Sequence, residues 1–359
     1  MMDSACENER NIYVNREITD HFRFQVREVP EIKRFNYNVA FSDIKNLCHF
    51  ADGSHSNIFT GDYCGMKVIV KIIKESSVSD PVAEFEFNVE SATLARLEHP
   101  NIVRLIGAGH SPRLFLILEN LLGGTLSNLL KQKRESMLRS RPCFTLTEVL
   151  LKARELANAL QHMHAGCAPG ATFLHRDLKP DNIGFTSNGS LKLIDFGLST
   201  CIRTGTRADE AFDMTGYTGS LRYMAPEVAL RQPYNEKCDV YSFGIILWQM
   251  ARSKVPYEGL TSQTFLQHVV VNGERPKLDR SWPVAFCKLL ESCWHAVPSV
   301  RPSFSDVLVQ LDDITNEVSA RRAKYGWWFP IKLCSVKPSS PLDEDKQRRR
   351  TVVVSSGWM

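Results

Sequence analysis

The chain changes character at Gly123-Gly124. Before that pair, short apolar and β-branched runs dominate. Residues 67–74 (KVIVKIIK) form the clearest of them, with the composition and length of a buried strand. Two more strand-like runs stand at 102–106 and 114–118, and 47–60 reads as strand, turn, strand. One helix interrupts them. Phe85, Val89, Ala92 and Leu97 keep roughly helical spacing over 82–98, and Pro100-Asn101 stops that pattern. After the glycine pair the period lengthens. Val149, Ala153, Leu156, Ala157, Leu160 and Met163 mark one face of a long helix, and 240–250 (VYSFGIILWQM) is apolar on all sides, as suits a helix enclosed by others. A strand-rich part therefore precedes a helix-rich part, with a glycine-containing hinge between them.

Length and composition narrow the classes. A chain of 359 residues allows one large two-lobed domain or two small ones. With 43% apolar and 23% charged residues it is globular in composition and not broadly disordered. The net charge of +4 is unevenly placed, because residues 320–359 hold nine Lys/Arg against three Asp/Glu. A near-neutral body with a basic tail argues against a dedicated nucleic-acid binder. No run approaches 18 consecutive apolar residues, so no membrane span is expected, and the first residues lack the apolar stretch of a secretory signal. The ten cysteines are scattered without a C-x-x-C pair. They read as reduced thiols, mostly small buried hydrophobes, which points to the cytoplasm with the nucleus also open to the protein. Residues 1–46 read as a polar N-terminal extension in which 35–41 (FNYNVAF) packs on a neighbouring surface. Residues 133–143 read as an exposed insertion. Residues 316–359 read as a basic tail, without stable structure from about 320 onward, its start anchored by Trp327, Trp328 and Phe329.

The chemistry-bearing residues fall in one order. Val68-Ile69-Val70-Lys71 ends a strand in a lysine, and Glu90 follows nineteen positions later on the expected helix. His175-Arg176-Asp177-Leu178-Lys179-Pro180-Asp181-Asn182 comes next. Asp195-Phe196-Gly197 then closes an apolar strand, and Ala225-Pro226-Glu227 follows. Taken singly, each has a plain structural reading: Asp177 a helix cap, Lys71 an edge charge, Asn182 a turn former. Together and in this order, the set resembles the eukaryotic protein-kinase catalytic domain over about residues 47–315. The resemblance implies an α+β, two-lobed protein-kinase fold. Its N-lobe (47–118) would be an antiparallel sheet plus one helix, its hinge 119–124, and its C-lobe (125–315) mainly helical.

The resemblance also implies roles. ATP and Mg²⁺ are the implied cofactors, and phosphoryl transfer needs the phosphate charge neutralised and the reacting oxygens aligned. Asp195 and Asn182 would supply hard oxygen ligands for Mg²⁺. Lys71 would hold the α- and β-phosphates, with Glu90 fixing its aim. Asp177 would orient the acceptor hydroxyl and take its proton, and Lys179 would steady the γ-phosphate. Leu118 matches the position at the back of the adenine slot, and the backbone of Glu119 and Leu121 would bond the adenine edge. Glu227 with Arg301 would form a buried ion pair, and Asp239 would hold the catalytic-loop backbone. Leu94, Leu105, His175 and Phe196 would form the apolar column between lobes, His175 being structural.

Several positions depart from the family pattern. The glycine-rich loop aligns with Ala51-Asp52-Gly53-Ser54-His55-Ser56-Asn57-Ile58, where only the middle glycine remains. Ala and Ser are small, so the backbone can still approach phosphates, at a cost in nucleotide affinity. His55, at the loop tip, is expected to face solvent. Above the adenine slot Ile69 replaces the usual Ala, and below it Gly184 replaces a large apolar residue. A larger ceiling is expected to compensate for the missing floor.

Lys179-Pro180 and 219–224 (GSLRYM) are similar to serine/threonine kinases, with Ser220 expected to bond near Asp177 and Lys179. GSLRYMAPEV, DVYSFG and CW…RPSF are most similar to the tyrosine-kinase-like group, on its Raf/mixed-lineage side. The implied partners are protein substrates with Ser/Thr acceptors, and an upstream kinase acting on Thr215, Tyr217 or Thr218, with Thr204 and Thr206 as further sites, to neutralise Arg176. The competing expectation is a pseudokinase or scaffold that binds nucleotide without efficient transfer.

Overall fold

The computed structural model describes residues 38–135, 142–166, 170–203, 210–216 and 218–325. Five antiparallel strands form one sheet in the order β1 (Lys45–Asp52), β2 (Ser56–Tyr63), β3 (Met66–Ile73), β5 (Phe115–Glu119), β4 (Leu105–Gly109). Alternation sorts the side chains of β3. Val68, Val70 and Ile72 join Phe115 and Ile117 of β5 in a small core, which Val39 and Ile44 cover. Ile69 and Lys71 are the intervening residues, and the register sets Ile69 opposite Leu118 and Lys71 opposite both Ile58 and Leu116. The cleft face is thus built from every second residue of a run that looks uniformly apolar in sequence. Residues 38–44 belong to this lobe rather than to a separate extension. The Val39 N–H bonds the Ala108 carbonyl at 3.0 Å.

Helix α1 (Pro81–Leu94) starts where Asp80 accepts a hydrogen bond from the Val82 N–H and Pro81 presets the first turn. The strand expected from Ile102 begins only at Leu105. Ile102 instead bridges Leu193 in the other lobe, and the Val103 N–H bonds the Leu193 carbonyl at 2.9 Å. A strand-like run therefore serves as a seam between lobes.

The second lobe is mainly helical: α2 (Leu126–Glu135), α3 (Leu146–Gln161), α4 (Lys237–Arg252), α5 (Val284–Cys293) and α6 (Phe304–Tyr325), with short helical turns between them. A reciprocal Thr145/Glu148 capping box starts α3. Helix α4 is buried from Cys238 to Met250, in keeping with its all-round apolar sequence. Two short hairpin-like sheets, β6 (Ala171–Leu174) with β9 (Thr200–Arg203) and β7 (Ile183–Phe185) with β8 (Leu191–Leu193), hold the loops that face the sheet domain.

Two expectations about boundaries are corrected. Helix α6 runs unbroken through 315 to Tyr325, with Leu311 and Ile314 buried and Val318 packed on the core, so 316–325 is helix and not tail. Lys133–Glu135 continue α2, and the Cys143 N–H donates to Ser253 Oγ at 2.6 Å, so the expected insertion is tied down at both ends. Its middle (136–141), residues 1–37 and the Trp327-Trp328-Phe329 anchor lie outside the described residues.

Candidate active site

Strand β3 points Lys71 at two carboxylates. Its Nζ stands 2.6 Å from Glu90 Oε2, on the buried side of α1, and 3.2 Å from Asp195 Oδ1. Burial alone would discharge the lysine, but Asp195 and Glu90 together hold it charged. Burial pushes Glu90 up, and Lys71 opposes that shift. The 2.6 Å contact and the cationic lysine favour the ion pair over two neutral groups. Lys71 lowers Asp195 below the usual carboxylate range. Asp195 keeps 46% of its side chain exposed to the cleft, so one carboxylate is enclosed and the other is open to a ligand.

The second cluster sits on the loop after β6. Asp177 is buried, with Oδ2 accepting from Lys179 Nζ at 2.6 Å and from Asn182 Nδ2 at 3.1 Å. Asn182 Nδ2 also reaches the Asp177 carbonyl at 2.9 Å. Asp177 Oδ1 accepts from the Ser220 backbone N–H at 2.9 Å, so the expected Ser220 contact to Asp177 is made by main chain. That approach requires Gly219. Its φ is +95°, and a Cβ there would lie 2.4 Å from the Arg176 carbonyl.

Two non-glycine residues of the site hold left-handed backbone, Arg176 (φ +66°) and Asp195 (φ +64°). Asp239, in the first turn of α4, braces the first of them. Its carboxylate accepts from the backbone N–H of His175 (2.8 Å) and Arg176 (2.9 Å), and Nε2 of His164 lies 3.0 Å away. Behind the site, His175 packs against Phe196 with ring centroids 5.1 Å apart, and burial lowers its pKa, which keeps the ring neutral. Leu94 and Phe196 lie in the same core cluster, with Leu105 packed on it. Glu227 and Arg301 meet in a buried bidentate pair at 2.6 and 2.8 Å.

The slot above β7 departs from the sequence reading. A Cβ on Gly184 would fall 2.5 Å from Leu121 Cδ1. Leu121 therefore occupies the space that a floor side chain at Gly184 would take. The Glu119 carboxylate accepts from the Arg104 N–H at 2.7 Å and from Lys192 Nζ at 2.6 Å. The Gly53–Ser56 turn between β1 and β2 closes with a 2.8 Å bond from the Gly53 N–H to the Ser56 carbonyl. Ala51 pairs with Ile58 and Asp52 with Asn57 across the hairpin, which leaves Ser54 and His55 in the turn. His55 is not directed purely at solvent: it lies between Asp80 and Glu86. Arg176 donates to the Leu198 carbonyl (2.7 Å), to Thr215 Oγ1 (3.0 Å) and to the Tyr234 hydroxyl (3.1 Å). Thr218 Oγ1 bonds the Thr215 carbonyl at 2.8 Å. Tyr217, Thr204 and Thr206 lie outside the described residues.

Among the described residues no cluster of three or more His, Cys, Asp or Glu side chains could enclose a metal. The pair Asp195 and Asn182 offers hard oxygens only. That set suits Mg²⁺, which binds through one or two protein oxygens and takes its other ligands from phosphates and water. Beside Asp177 a groove of about 450 Å³ is lined by Lys179, Asp181, Ser220, Leu221, Tyr223 and Phe265, among others. No described helix is long and apolar enough to cross a membrane.

The neighbour-based signals that marked Lys71, Glu90, Asp177, Asn182 and Asp195 said nothing of Leu121 as floor, His164 as a partner of Asp239, or Asp80 and Glu86 around His55. His164 carries no pattern that separates it from a surface histidine.

The sequence model described as protein tyrosine and serine/threonine kinase matches residues 44–311. The chain is 32% identical over 307 residues to the serine/threonine/tyrosine-protein kinase HT1 of Arabidopsis thaliana, covering 82% of this chain and 74% of that protein. It is 28% identical over 333 residues to the Arabidopsis serine/threonine-protein kinase STY17, covering 91% of this chain and 55% of that protein. It is 33% identical over 288 residues to a probable LIM domain-containing serine/threonine-protein kinase of Dictyostelium discoideum, covering 80% of this chain and 41% of that protein. The chain thus spans about half the length of the last two.

Proposed function

This chain belongs to the protein tyrosine and serine/threonine kinase family, and we propose that it transfers the γ-phosphoryl group of ATP to serine or threonine hydroxyls of protein substrates. The observation that carries this reading is the paired assembly of Lys71 with Glu90 and Asp195, and of Asp177 with Lys179 and Asn182. A scaffold that only binds nucleotide would use Lys71 as well, but it has no need of the buried Asp177 carboxylate held by Lys179 and Asn182.

The family resemblance implies the division of labour, and the distances in the site are compatible with it. Lys71 presents a fixed positive charge to the α- and β-phosphates, and Glu90 sets its direction from α1. Asp177 receives the acceptor hydroxyl and its proton. Lys179, 2.6 Å from that carboxylate, counters charge on the phosphoryl group in flight. Mg²⁺, bound through Asp195 and Asn182, would neutralise phosphate charge and align the reacting oxygens. The groove beside Asp177 takes the substrate segment, with Ser220 and Leu221 in its lining. The serine/threonine assignment rests on Lys179-Pro180 and the 219–224 segment, and on the serine/threonine kinases among the relatives.

An upstream kinase is also part of this reading. Thr215 is the favoured acceptor, because its hydroxyl already meets Arg176, and a phosphate there would give that arginine a charged partner. Thr215→Ala is expected to abolish the gain in activity that follows treatment with an activating cell extract. An unchanged gain would remove Thr215 from the mechanism.

The test of the main reading is transfer from labelled ATP with Mg²⁺ to a generic basic protein, with Asp195→Asn beside the unaltered chain and phosphoamino-acid analysis of the product. Label on serine or threonine, lost in the variant, supports the reading. Intact ATP binding with no transfer, even after extract treatment, would favour the scaffold.

A further inference from the structure

The turn between β1 and β2 has lost two of the three glycines that its family pattern carries, and its tip residue faces two carboxylates. His55, at the tip, is one-third exposed. Its Nδ1 lies 3.6 Å from Asp80 Oδ2 and its Nε2 3.9 Å from Glu86 Oε2. Asp80 and Glu86 belong to the start of α1, the helix that carries Glu90. Glu86 also borders the segment after Asp195, since a Cβ on Gly197 would lie 3.6 Å from Glu86 Cβ and from its carbonyl. The imidazole thus spans from the phosphate-facing turn to the helix that aims Lys71.

We infer that His55 is a positioning residue for nucleotide: in its cationic form it ties the β1–β2 turn to α1 through Asp80 and Glu86, and so holds the turn over the phosphate site. The inference rests on the kinase reading above. An imidazole placed between two carboxylates attracts both only when it carries a proton, and histidine is the side chain whose charge changes within the ordinary pH range. The groups facing it are the carboxylates of Asp80 and Glu86 from α1. On the sheet side the Lys74 N–H donates to the His55 carbonyl at 2.9 Å, and the Asp52 carboxylate is engaged by His49 at 3.0 Å. The backbone bond holds the base of the turn at every pH, so only the tip responds. Asp80 divides its labour: Oδ1 caps α1 at 2.9 Å from the Val82 N–H, while Oδ2 faces His55.

The experiment is titration calorimetry of the full chain with the non-hydrolysable ATP analogue AMP-PNP and Mg²⁺, at about pH 6 and about pH 8. His55→Gln, His55→Arg and the pair Asp80→Asn/Glu86→Gln are measured in parallel. Asparagine remains a good helix cap, so the paired variant removes charge and leaves α1 started. The nucleotide's own titration is common to all the proteins, so the readout is each variant relative to the unaltered chain. At low pH the unaltered chain is expected to bind about two- to fivefold more tightly than His55→Gln, the range for partly exposed ion pairs, and the advantage should vanish at high pH. His55→Arg should keep the tight value at both pH values, and the paired variant should behave as His55→Gln. A ratio of unaltered chain to His55→Gln that does not change with pH, or His55→Arg as weak as His55→Gln, would overturn the inference. No nucleotide binding by the unaltered chain at either pH would remove the kinase reading itself, and this inference with it.

Discussion

Replacing Asp239 by Asn should loosen the catalytic loop from behind. In the native chain its two oxygens accept from the His175 N–H, the Arg176 N–H and His164, with Cys238 Sγ a weaker donor 4.0 Å from Oδ1. Arg176 stays in left-handed backbone, a conformation that costs a non-glycine residue about 1–2 kcal/mol. An asparagine offers one oxygen and one NH₂ group. Whichever way it turns, its NH₂ faces at least one N–H donor. One hydrogen bond to a charged acceptor is lost, about 1.5–3 kcal/mol, and one buried N–H is stranded at about 1–3 kcal/mol. A destabilisation of about 3–5 kcal/mol follows, which in a domain of this size lowers the melting midpoint by about 6–20 °C. The loss falls beside Asp177, so kcat should drop at least about tenfold, the equivalent of about 1.4 kcal/mol. The KM for ATP should change little, because Lys71, Glu90 and Asp195 make no bond to Asp239. There is also a pH signature. Burial would raise Asp239, but the hydrogen bond and charge of His164, with His175 behind them, hold it below the usual range. A carboxylate lowered in the folded state stabilises above its unfolded value of about 4, and that stabilisation is lost as pH falls through the folded value. Melting curves from about pH 3 to pH 8 should therefore lose part of their acid limb in the variant. A variant with a midpoint within about 2 °C of the native one and kcat within about twofold would refute this account of the loop.

Glu227→Ala leaves the fully buried guanidinium of Arg301 unpaired and should cost about 3–5 kcal/mol by urea unfolding; apolar replacement of both partners should recover most of it. Lys71→Met removes the cation that Glu90 and Asp195 share, and the transfer rate in the labelled-ATP assay should fall by about a hundredfold or more. Gly184→Ala drives a methyl group against Leu121 and should weaken AMP-PNP binding by an amount equivalent to about 1–3 kcal/mol of overpacking, with Leu121→Ala restoring it in calorimetry.

Much of this molecule is legible along the chain. KVIVKIIK is a strand because β-branched residues favour extended backbone, and VYSFGIILWQM is a buried helix because no face of it is polar. Lys71, Glu90, Asp177, Asn182 and Asp195 announce themselves by type and order. The misplaced strand at Ile102 and the helix running past residue 315 show the limit of such patterns. An apolar run can pair with a distant strand instead of its neighbour, and a polar run can remain helical when one face is anchored on a core, as Ile314 and Val318 are.

What the tertiary structure alone decided is who shares a cavity with whom. That Leu121 fills the space above Gly184, that His164 completes the grip of Asp239, and that His55 sits between Asp80 and Glu86 are relations among segments separated along the chain. Residue type and period are local properties, set by covalent neighbours and by the backbone each side chain prefers. Volume filling and charge pairing depend on distance in space, and those distances exist only once the chain has folded.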